Sequence, residues 1–254
     1  MLGGKVFYRN KNGVELTEEG KNLYEYIKDS IETMNNAENI FSKYITLEKG
    51  KIRIGGGNSL LSSLIFEPFL KFTKKYPNVD ISISSGITDV LMQKLANGEL
   101  DIVVLNLPFK YKKYSNIEII PLKKSTFCFF ASKNYIKKHP VKNFKEFENN
   151  TLILPKSPSS KKKILDDFCN KENIDLIANY EVSSSSIMKR LVLNDIGIGF
   201  TNVENLKDIK DKIIIINKIE IEDTKEGIAT LKKNMSNKAT IELVKEIKRY
   251  YKQN

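Results

Sequence analysis

The chain has 254 residues, with 42 Lys or Arg, 31 Asp or Glu and a formal net charge of +11. A hydrophobic fraction of 41% and a charged fraction of 29% are typical of a folded globular protein and exclude a disordered one. Two cysteines, Cys128 and Cys169, exclude a disulfide scaffold, and no apolar run reaches the roughly 20 residues of a membrane span. Because Met1–Lys5 contains no apolar signal core, we expect a cytoplasmic protein.

The excess positive charge is local. Residues 109–145 carry 10 basic and 1 acidic side chains, whereas residues 1–50 carry 7 and 8. A segment of this kind suggests an anionic partner such as nucleic acid. A solvated face in a lysine-rich chain is the interpretation that we favour, and an anion-facing patch is the alternative.

The first 50 residues predict a hairpin followed by a long helix. Residues 5–16 form two short extended pieces around Asn12-Gly13, a tight-turn pair. Thr17 is a suitable N-cap for a helix over about 17–48. Along it, positions at alternating steps of three and four are apolar except for Glu38: Tyr24, Ile27, Ile31, Met34, Phe41 and Ile45. This spacing predicts a dimerising or linking helix, and the alternative is an amphipathic helix packed within the chain.

Residues 51–107 predict strands over 51–54, 79–84 and 101–107 with helices between them, an order typical of a parallel α/β sheet. Beyond them we expect strands near 118–121, 127–131, 151–154, 177–182, 197–201 and 212–217, and helices near 143–149, 160–172, 186–195 and 238–252. Asn58 or Ser59 is the expected N-cap of the first of these α/β helices. Two serine-rich helix starts follow strands, at 157–160 and 183–186. They offer hydroxyls and free N–H groups where open α/β folds bind ligands.

Enzyme chemistry is poorly represented, so we expect no catalytic residues, no metal and no cofactor. The single histidine, His139, has no metal-ligating neighbours in sequence, and the cysteines lie far apart. The Gly55-Gly56-Gly57 segment lacks the third glycine of a dinucleotide-binding fingerprint, and there is no nucleophile elbow or P-loop.

Several segments in this order resemble the LysR-type transcriptional regulators. They are Phe7-Tyr8-Arg9 with Leu16–Gly20, then Gly50–Gly55, then Phe72, Tyr76-Pro77 and Val79, then Leu95 with Gly98–Ile102, and finally Asp195–Gly199. Glu19 stands where that family usually has Ala, and Asp195-Ile196 replaces a more usual Gly-x. The resemblance covers essentially the whole chain and fades after about residue 205.

The resemblance implies an α/β, two-lobed effector domain similar to periplasmic binding proteins (type 2), preceded by a long linker helix. Residues 1–16 would be the wing remnant of a winged helix-turn-helix, and residues 17–48 the linker and dimerisation helix. Lobe I would comprise 51–121 and 225–254, and lobe II 122–224. Hinge strands would lie near 121–127 and 220–229.

The implied function is effector sensing and oligomerisation in a transcriptional regulator. A small molecule would bind between the lobes and modulate DNA binding by a homo-dimer or tetramer, without any membrane partner. This chain would lack the recognition helix, so that DNA is a partner of the full-length protein. The alternative is a solute-binding protein of the same fold serving transport, which the missing signal peptide and the long helix oppose.

Effector contacts are expected where strands end and helices begin. The candidates are Asn58, Ser59, Ser85, Asn106, Ser157, Ser183, Ser184, Ser185 and Thr201. For each of them, capping its own helix or turn is the alternative role. No arginine belongs to this set, which favours a neutral polar effector, or an acid held by backbone N–H groups. Contacts of the wing remnant with DNA are expected at Arg9, Lys11 and Asn12.

Overall fold

The structure is a computed structural model that describes residues 3–11, 13–109, 115–141, 144–219, 224–232 and 236–253, and the side chain of Lys145 also lies outside that description. The chain divides into two compact units, Met1–Gly50 and Lys51–Asn254.

The first unit contains a hairpin and one long helix. Strands β1 (Phe7–Asn10) and β2 (Gly13–Leu16) pair antiparallel, so the two predicted extended pieces are confirmed, while Asn12 of the predicted turn lies outside the described residues. Helix α1 (Glu18–Thr46) begins after Thr17, whose Oγ1 accepts a hydrogen bond from the backbone N–H of Gly20 at 2.9 Å. The hydroxyl therefore satisfies one of the unpaired donors of the first turn, as an N-cap should.

The apolar stripe of α1 is exposed. Its six predicted members, Tyr24, Ile27, Ile31, Met34, Phe41 and Ile45, are 48–67% accessible to solvent. An exposed stripe with this spacing on a 29-residue helix is the pattern that two-helix association buries.

The second unit is built from ten strands and seven helices in its described part. The strands are β3 (Gly50–Gly56), β4 (Val79–Ser85), β5 (Ile102–Leu107), β6 (Ile117–Lys124), β7 (Phe127–Ser132), β8 (Leu152–Pro155), β9 (Tyr180–Val182), β10 (Ile198–Asn202), β11 (Ile213–Ile219) and β12 (Lys225–Leu231). The helices are α2 (Asn58–Leu60), α3 (Phe66–Lys75), α4 (Thr88–Ala96), α5 (Lys133–Lys138), α6 (Ser160–Glu172), α7 (Ser185–Leu193) and α8 (Lys238–Gln253).

One five-stranded sheet, with the helices packed on it, forms what we call lobe I. Its strand order is β4-β3-β5-β12-β6, with β3 and β5 parallel and β12 antiparallel to both of its neighbours. In β5, residues 102–105 are fully buried, because helices cover both faces of a central strand in such a sheet. Helix α8 returns to this lobe, where the Tyr251 hydroxyl donates to the carbonyl of Leu64 at 2.7 Å.

A second five-stranded sheet forms lobe II, with the order β11-β7-β10-β8-β9. Its core is aromatic: the ring of Phe129 lies 4.8 Å from that of Phe147 and 5.0 Å from that of Phe200, centroid to centroid. All three side chains are fully buried. Large rings at these separations supply much of the apolar burial that stabilises a lobe of this size.

Two chain crossings join the lobes. The chain passes from β6 to β7 and returns between β11 and β12, and the backbone N–H of Ser125 donates to the carbonyl of Thr224 at 3.0 Å. Strand β6 continues to Lys124, so the first crossing is short. The second crossing contains residues 220–223, which lie outside the described residues.

The structure corrects several sequence-based expectations. Helix α5 and a 3-10 helix over Val203–Lys212 are additional to the predicted elements, and the predicted helix near 143–149 is a 3-10 helix over Phe144–Asn149. The hinge strand implied near 220–229 corresponds to β12 over Lys225–Leu231. Strand β9 has three residues, beginning at Tyr180 rather than Ile177. Helix α5, with six residues, and strand β9, with three, are too short for hydrophobic periodicity to define them.

Two sequence motifs of the chain have clear structural roles. Asp101 accepts hydrogen bonds from the backbone N–H of Arg53 at 2.7 Å and from its guanidinium Nε at 3.0 Å, a pairing that joins β3 to the start of β5. This pairing raises the pKa of the Arg53 guanidinium. At Gly197, a Cβ atom would lie 2.3 Å from the carbonyl oxygen of Thr151, so only glycine fits where β10 begins beside β8.

Candidate functional site

The carboxyl end of β3 leads directly into the first turn of α2. The N-cap of α2 is Gly57, so no side-chain hydrogen bond caps this helix, and the predicted cap at Asn58 or Ser59 is wrong. Both side chains are therefore available for other contacts. A π-helical turn over Leu61–Ile65 follows directly, and such turns occur frequently at functional sites.

Helix α6 supplies a second set of polar groups. The hydroxyl of Ser159 caps the helix by accepting from the backbone N–H of Lys162 at 3.2 Å. The next hydroxyl, Ser160 Oγ, accepts from Asn106 Nδ2 of lobe I at 3.0 Å. Lys161 then projects from the first turn of the helix.

Helix α7 supplies the third set of polar groups. Ser184 is its N-cap, with its hydroxyl 3.5 Å from the backbone N–H of Ile187. Because Ser184 performs the capping, the hydroxyl of Ser185 is left for long-range contacts. The two neighbouring serines thus have different roles.

These elements meet in a small polar cluster between the lobes, formed by Ser59, Lys161 and Ser185. The hydroxyl oxygens of Ser59 and Ser185, which are 126 positions apart in sequence, lie 3.0 Å apart. Lys161 Nζ donates to Ser59 Oγ at 2.9 Å and also to Ser185 Oγ. One ammonium group therefore joins hydroxyls from both lobes. We call these three residues the Ser-Lys-Ser cluster.

Burial lowers the pKa of Lys161 to about 8. In the described part of the chain, no carboxylate forms an ion pair with it. An ammonium without a counter-charge is costly to bury, because water solvates it better than two hydroxyls do. The cation is thus held in place by the fold rather than by an opposite charge.

Asn106 lies beside the cluster, near the end of β5, and is only 9% exposed. Its Nδ2 reaches the first turn of α6 through Ser160, but its Oδ1 has no hydrogen-bond partner among the described residues. Buried amide oxygens are nearly always paired, so an unpaired one needs an explanation.

Within the described residues, the other predicted effector contacts form no side-chain hydrogen bond with the Ser-Lys-Ser cluster. Asn58, Ser85, Ser157 and Ser183 are exposed and make no side-chain hydrogen bond within the described residues. Thr201 is buried in lobe II, and its Oγ1 accepts from Asn205 Nδ2 at 3.3 Å. Of the predicted set, the structure brings together Ser59, Asn106 and Ser185, while Ser184 serves as a cap.

The predicted DNA contacts belong to the first unit. Arg9 and Asn10 are the last two residues of β1, and both are exposed. Lys11, which follows the strand, is exposed too. Asn12 lies outside the described residues. In the described part of the chain, no cluster of His, Cys, Asp or Glu could hold a metal ion. No helix described there is both long and apolar enough to span a membrane.

Sequence reasoning missed two charged residues that the structure places between the lobes. Lys161 is one of three consecutive lysines, and sequence alone cannot decide which of them points inward. Glu226 is a charged residue in the otherwise largely apolar strand β12, and a charge in such a strand indicates that it is buried.

Glu226 is fully buried at the lobe crossing. Its Oε1 accepts from Asn202 Nδ2 at 2.6 Å and Ser125 Oγ at 3.4 Å, and Lys123 Nζ lies 3.4 Å from its Oε2. Burial raises the pKa of the Glu226 carboxyl, and the ammonium of Lys123 opposes that shift. This carboxyl ties the end of β10 in lobe II to β12 in lobe I.

Comparison with known proteins gives the family. Residues 46–214 match the family described as the LysR substrate binding domain. The HTH-type transcriptional regulator CzcR of Bacillus subtilis is 32% identical over 108 residues, which are 42% of this chain and 36% of that protein. The matched segment thus spans about a third of the length of that relative.

Solved structures share the fold. The effector binding domain of QuiR in complex with shikimate has a TM-score of 0.66 at 20% identity, covering 81% of this chain and 99% of that one. Full-length CbnR complexed with its target DNA has a TM-score of 0.67 at 13% identity, covering 98% of this chain and 85% of that one. The predicted two-lobed α/β fold is therefore confirmed. Because the family match covers most of the chain, this protein belongs to the LysR substrate-binding domain family.

Proposed function

We propose that this chain is the effector-sensing part of a LysR-type transcriptional regulator, and that a small molecule binds at the Ser-Lys-Ser cluster between the lobes. The observation that carries the proposal is the direct contact of Ser59 with Ser185, because a molecule bound by both hydroxyls changes how the lobes meet. The complex of QuiR with shikimate supports a small-molecule ligand in this fold.

The remaining predicted contacts belong to the same proposal. Asn106 lies beside the cluster, and the exposed or capping candidates would line the approach to it: Asn58, Ser85, Ser157, Ser183 and Ser184. Thr201 remains a candidate contact from within β10, where its side chain is buried. We propose the domain division given by sequence, with lobe I over 51–121 and 225–254 and lobe II over 122–224. The two sheets and their crossings support it.

A thermal-shift screen with small acids, amino acids and sugars, including shikimate, tests the effector site. We expect a ligand to raise the melting temperature of the wild-type protein, and Ser59→Ala and Ser185→Ala to lose that increase, because each removes one hydroxyl of the cluster. Ser62→Ala is the matched control, since Ser62 is exposed three positions from Ser59 and does not belong to the proposed site. A ligand-induced increase that survives in both alanine variants of the cluster would place the site elsewhere.

The regulator would assemble through α1 and bind DNA as a homo-dimer or tetramer in the cytoplasm. The exposed apolar stripe of α1 supports association, and CbnR bound to its target DNA supports the second partner. In this proposal Arg9, Lys11 and Asn12 are the wing residues nearest to DNA, and the protein catalyses no reaction. CzcR is named as a transcriptional regulator, which favours regulation over the transport alternative.

Sizing by light scattering tests the role of α1. Phe41→Glu combined with Ile45→Glu places two carboxylates in the stripe and should shift the assembly toward the monomer, because burying unpaired charges is costly. Asn36→Glu adds a carboxylate to the opposite face of the same helix and should leave the size unchanged. Equal masses for the double variant and the wild type would exclude α1 as the association surface.

A further inference from the structure

Three side chains of lobe I form one row across its sheet. Glu226 of β12 lies opposite Asn106 of β5 on one side and opposite Lys123 of β6 on the other. Directly opposite residues of antiparallel strands project from the same face of a sheet, with Cβ atoms about 5 Å apart. The three side chains are therefore neighbours, and we call them the crossing row because the chain crossings between the lobes follow directly.

Every member of the crossing row contacts lobe II. Asn106 Nδ2 donates to the hydroxyl of Ser160 in α6 at 3.0 Å. Asn202 Nδ2, at the end of β10, donates to Glu226 Oε1 at 2.6 Å. The third member reaches the 3-10 helix that follows β10. A change in how the lobes meet must therefore alter the contacts of this row.

Two buried acceptor atoms of the row have no hydrogen-bond partner among the described residues. They are Asn106 Oδ1 and Glu226 Oε2, which belong to directly opposite residues. An amide oxygen can only accept a hydrogen bond, and so can the oxygen of an ionised carboxylate. The two atoms therefore cannot pair with each other while Glu226 is charged, and unpaired acceptors in a protein interior are rare and costly.

A single proton would pair both atoms. A protonated carboxyl carries an O–H group, so Glu226 Oε2 becomes a donor to Asn106 Oδ1. Its Oε1 keeps the hydrogen bond from Asn202. The carboxyl is then neutral, which removes the cost of burying an ionised group.

The charges around Glu226 are consistent with a bound proton. Burial raises the pKa of its carboxyl, and the ammonium of Lys123, 3.4 Å from Oε2, opposes that shift. This ammonium is shared, because it also lies 3.7 Å from Glu204 Oε2 in the 3-10 helix, and the Glu204 charge raises the Glu226 pKa further. Lys207 pairs with Glu204 but is exposed. From α8, Tyr251 adds a hydroxyl whose pKa burial raises, while β5 and β10 contribute neutral amides.

We infer that the crossing row is a proton switch between the lobes. Glu226 takes a proton from solvent in the lobe arrangement of this structure, donates it in a hydrogen bond to Asn106 Oδ1, and returns it to water when the lobes separate. Because the joined arrangement binds the proton more tightly, low pH stabilises it and high pH favours separation. Asn106 also holds Ser160, the residue before Lys161, so the switch would make the proposed effector site sensitive to pH. Only this last consequence rests on the proposed function.

Infrared difference spectroscopy on the full chain tests for the proton. At pH 7 we expect the wild type to show the carbonyl band of a protonated carboxyl, and Glu226→Gln to lose it. Asn106→Leu should keep the band but move it to higher wavenumber, because the O–H group loses its acceptor. Glu118→Gln, which changes an exposed carboxylate on β6, is the control and should leave the band unchanged.

A wild-type spectrum without this band would overturn the inference. The carboxylate would then be ionised, and its Oε2 would accept from a water molecule or from an Asn106 amide turned over by half a rotation.

Distances between spin labels on the two lobes test the coupling. Exposed positions are labelled through Lys74→Cys and Lys171→Cys in a Cys169→Ser background, which leaves only the buried Cys128, and unlabelled chains are added in excess. Between pH 5 and pH 9 the wild-type distances should lengthen as the proton is lost. Glu226→Gln should keep the pH 5 distances throughout, because its amide supplies the same donor and cannot ionise. Wild-type distances that ignore pH, or glutamine-variant distances that lengthen equally, would overturn the switch.

These tests need no ligand, so their outcomes are separate from those of the proposed function. If both fail, the effector site at the Ser-Lys-Ser cluster still stands or falls by the thermal-shift screen. If no screened compound binds, the effector site fails while the infrared band and the distances still decide the switch.

Discussion

Lys161→Met should make the protein more stable at neutral pH while removing a binding group. The lysine holds its charge in a half-buried position, which lowers its pKa to about 8 from a usual 10.5. Each pKa unit corresponds to ~1.4 kcal/mol, so keeping this ammonium charged at pH 7 costs the folded state ~3 kcal/mol. Methionine fills a similar volume without a charge, and Ser59 and Ser185 still pair with each other.

The hydrogen bonds that the ammonium gives the two hydroxyls already contribute to the wild type, so the net gain in the free energy of unfolding should be ~1–3 kcal/mol. The pH dependence identifies the cause. A lysine whose pKa is depressed on folding stabilises the protein fully only above about pH 10.5, and that stabilisation is lost as the pH falls through about 8. The advantage of the methionine variant should therefore shrink by ~1 kcal/mol between pH 7 and pH 9.

The assay is equilibrium unfolding in urea followed by circular dichroism, since the chain contains no tryptophan. Lys163→Met is the control, because Lys163 lies on the same helix but is exposed, and it should change stability by less than ~0.5 kcal/mol at either pH. A methionine variant at position 161 that is less stable than the wild type at pH 7 would refute the argument. A difference that stays constant from pH 7 to pH 9 would refute it equally.

Three further predictions concern the scaffold around the site, each measured by the same unfolding assay. Gly197→Ala should cost ~2 kcal/mol or more, because its new Cβ would lie 2.3 Å from the backbone oxygen of Thr151, whereas Gly57→Ala has no atom within 4 Å and should be nearly neutral. Asp101→Asn should cost ~2 kcal/mol through its weakened contacts with the arginine of β3, and an unchanged midpoint would contradict this. Burial raises the pKa of the Glu226 carboxyl above its usual 4.5. The contribution of this carboxyl to the free energy of unfolding is therefore fully present below pH 4.5 and is lost as the pH rises through the raised pKa. Glu226→Gln should remove that part of the pH dependence, and a profile parallel to the wild type would count against the buried charge.

Much of the fold could be predicted because it depends on local patterns. The helix over 160–172 matches α6 to the residue, and the apolar run ending at Leu107 matches the buried strand β5. Helix caps, hydrophobic periodicity and turn residues each depend on a few neighbouring positions, so they can be recognised in the local sequence. The apolar pattern alone did not predict strand β12, because Lys225, Glu226 and Gly227 interrupt it, and only the family resemblance implied a strand near 220–229. Long-range pairing with β5 and β6 makes β12 a central strand.

The residues of the candidate site were likewise predicted only in part. Sequence alone placed Ser59, Asn106 and Ser185 at strand ends and helix starts, because the order of α/β elements fixes which edge of a sheet they occupy. It did not show that Ser184 would cap α7 and leave Ser185 free, since either serine suits an N-cap.

The sequence by itself therefore determined the +11 charge, the long amphipathic helix, the α/β order and the serines available for binding. Only the tertiary structure decided that Lys161, among three consecutive lysines, would donate to hydroxyls from both lobes. The physical reason is that a helix start can be rotated to present any of three neighbouring side chains, and packing of α6 on its lobe fixes that rotation. The charge on which the proposed effector site depends is thus a single half-buried lysine and not the lysine-rich segment that dominates the net charge.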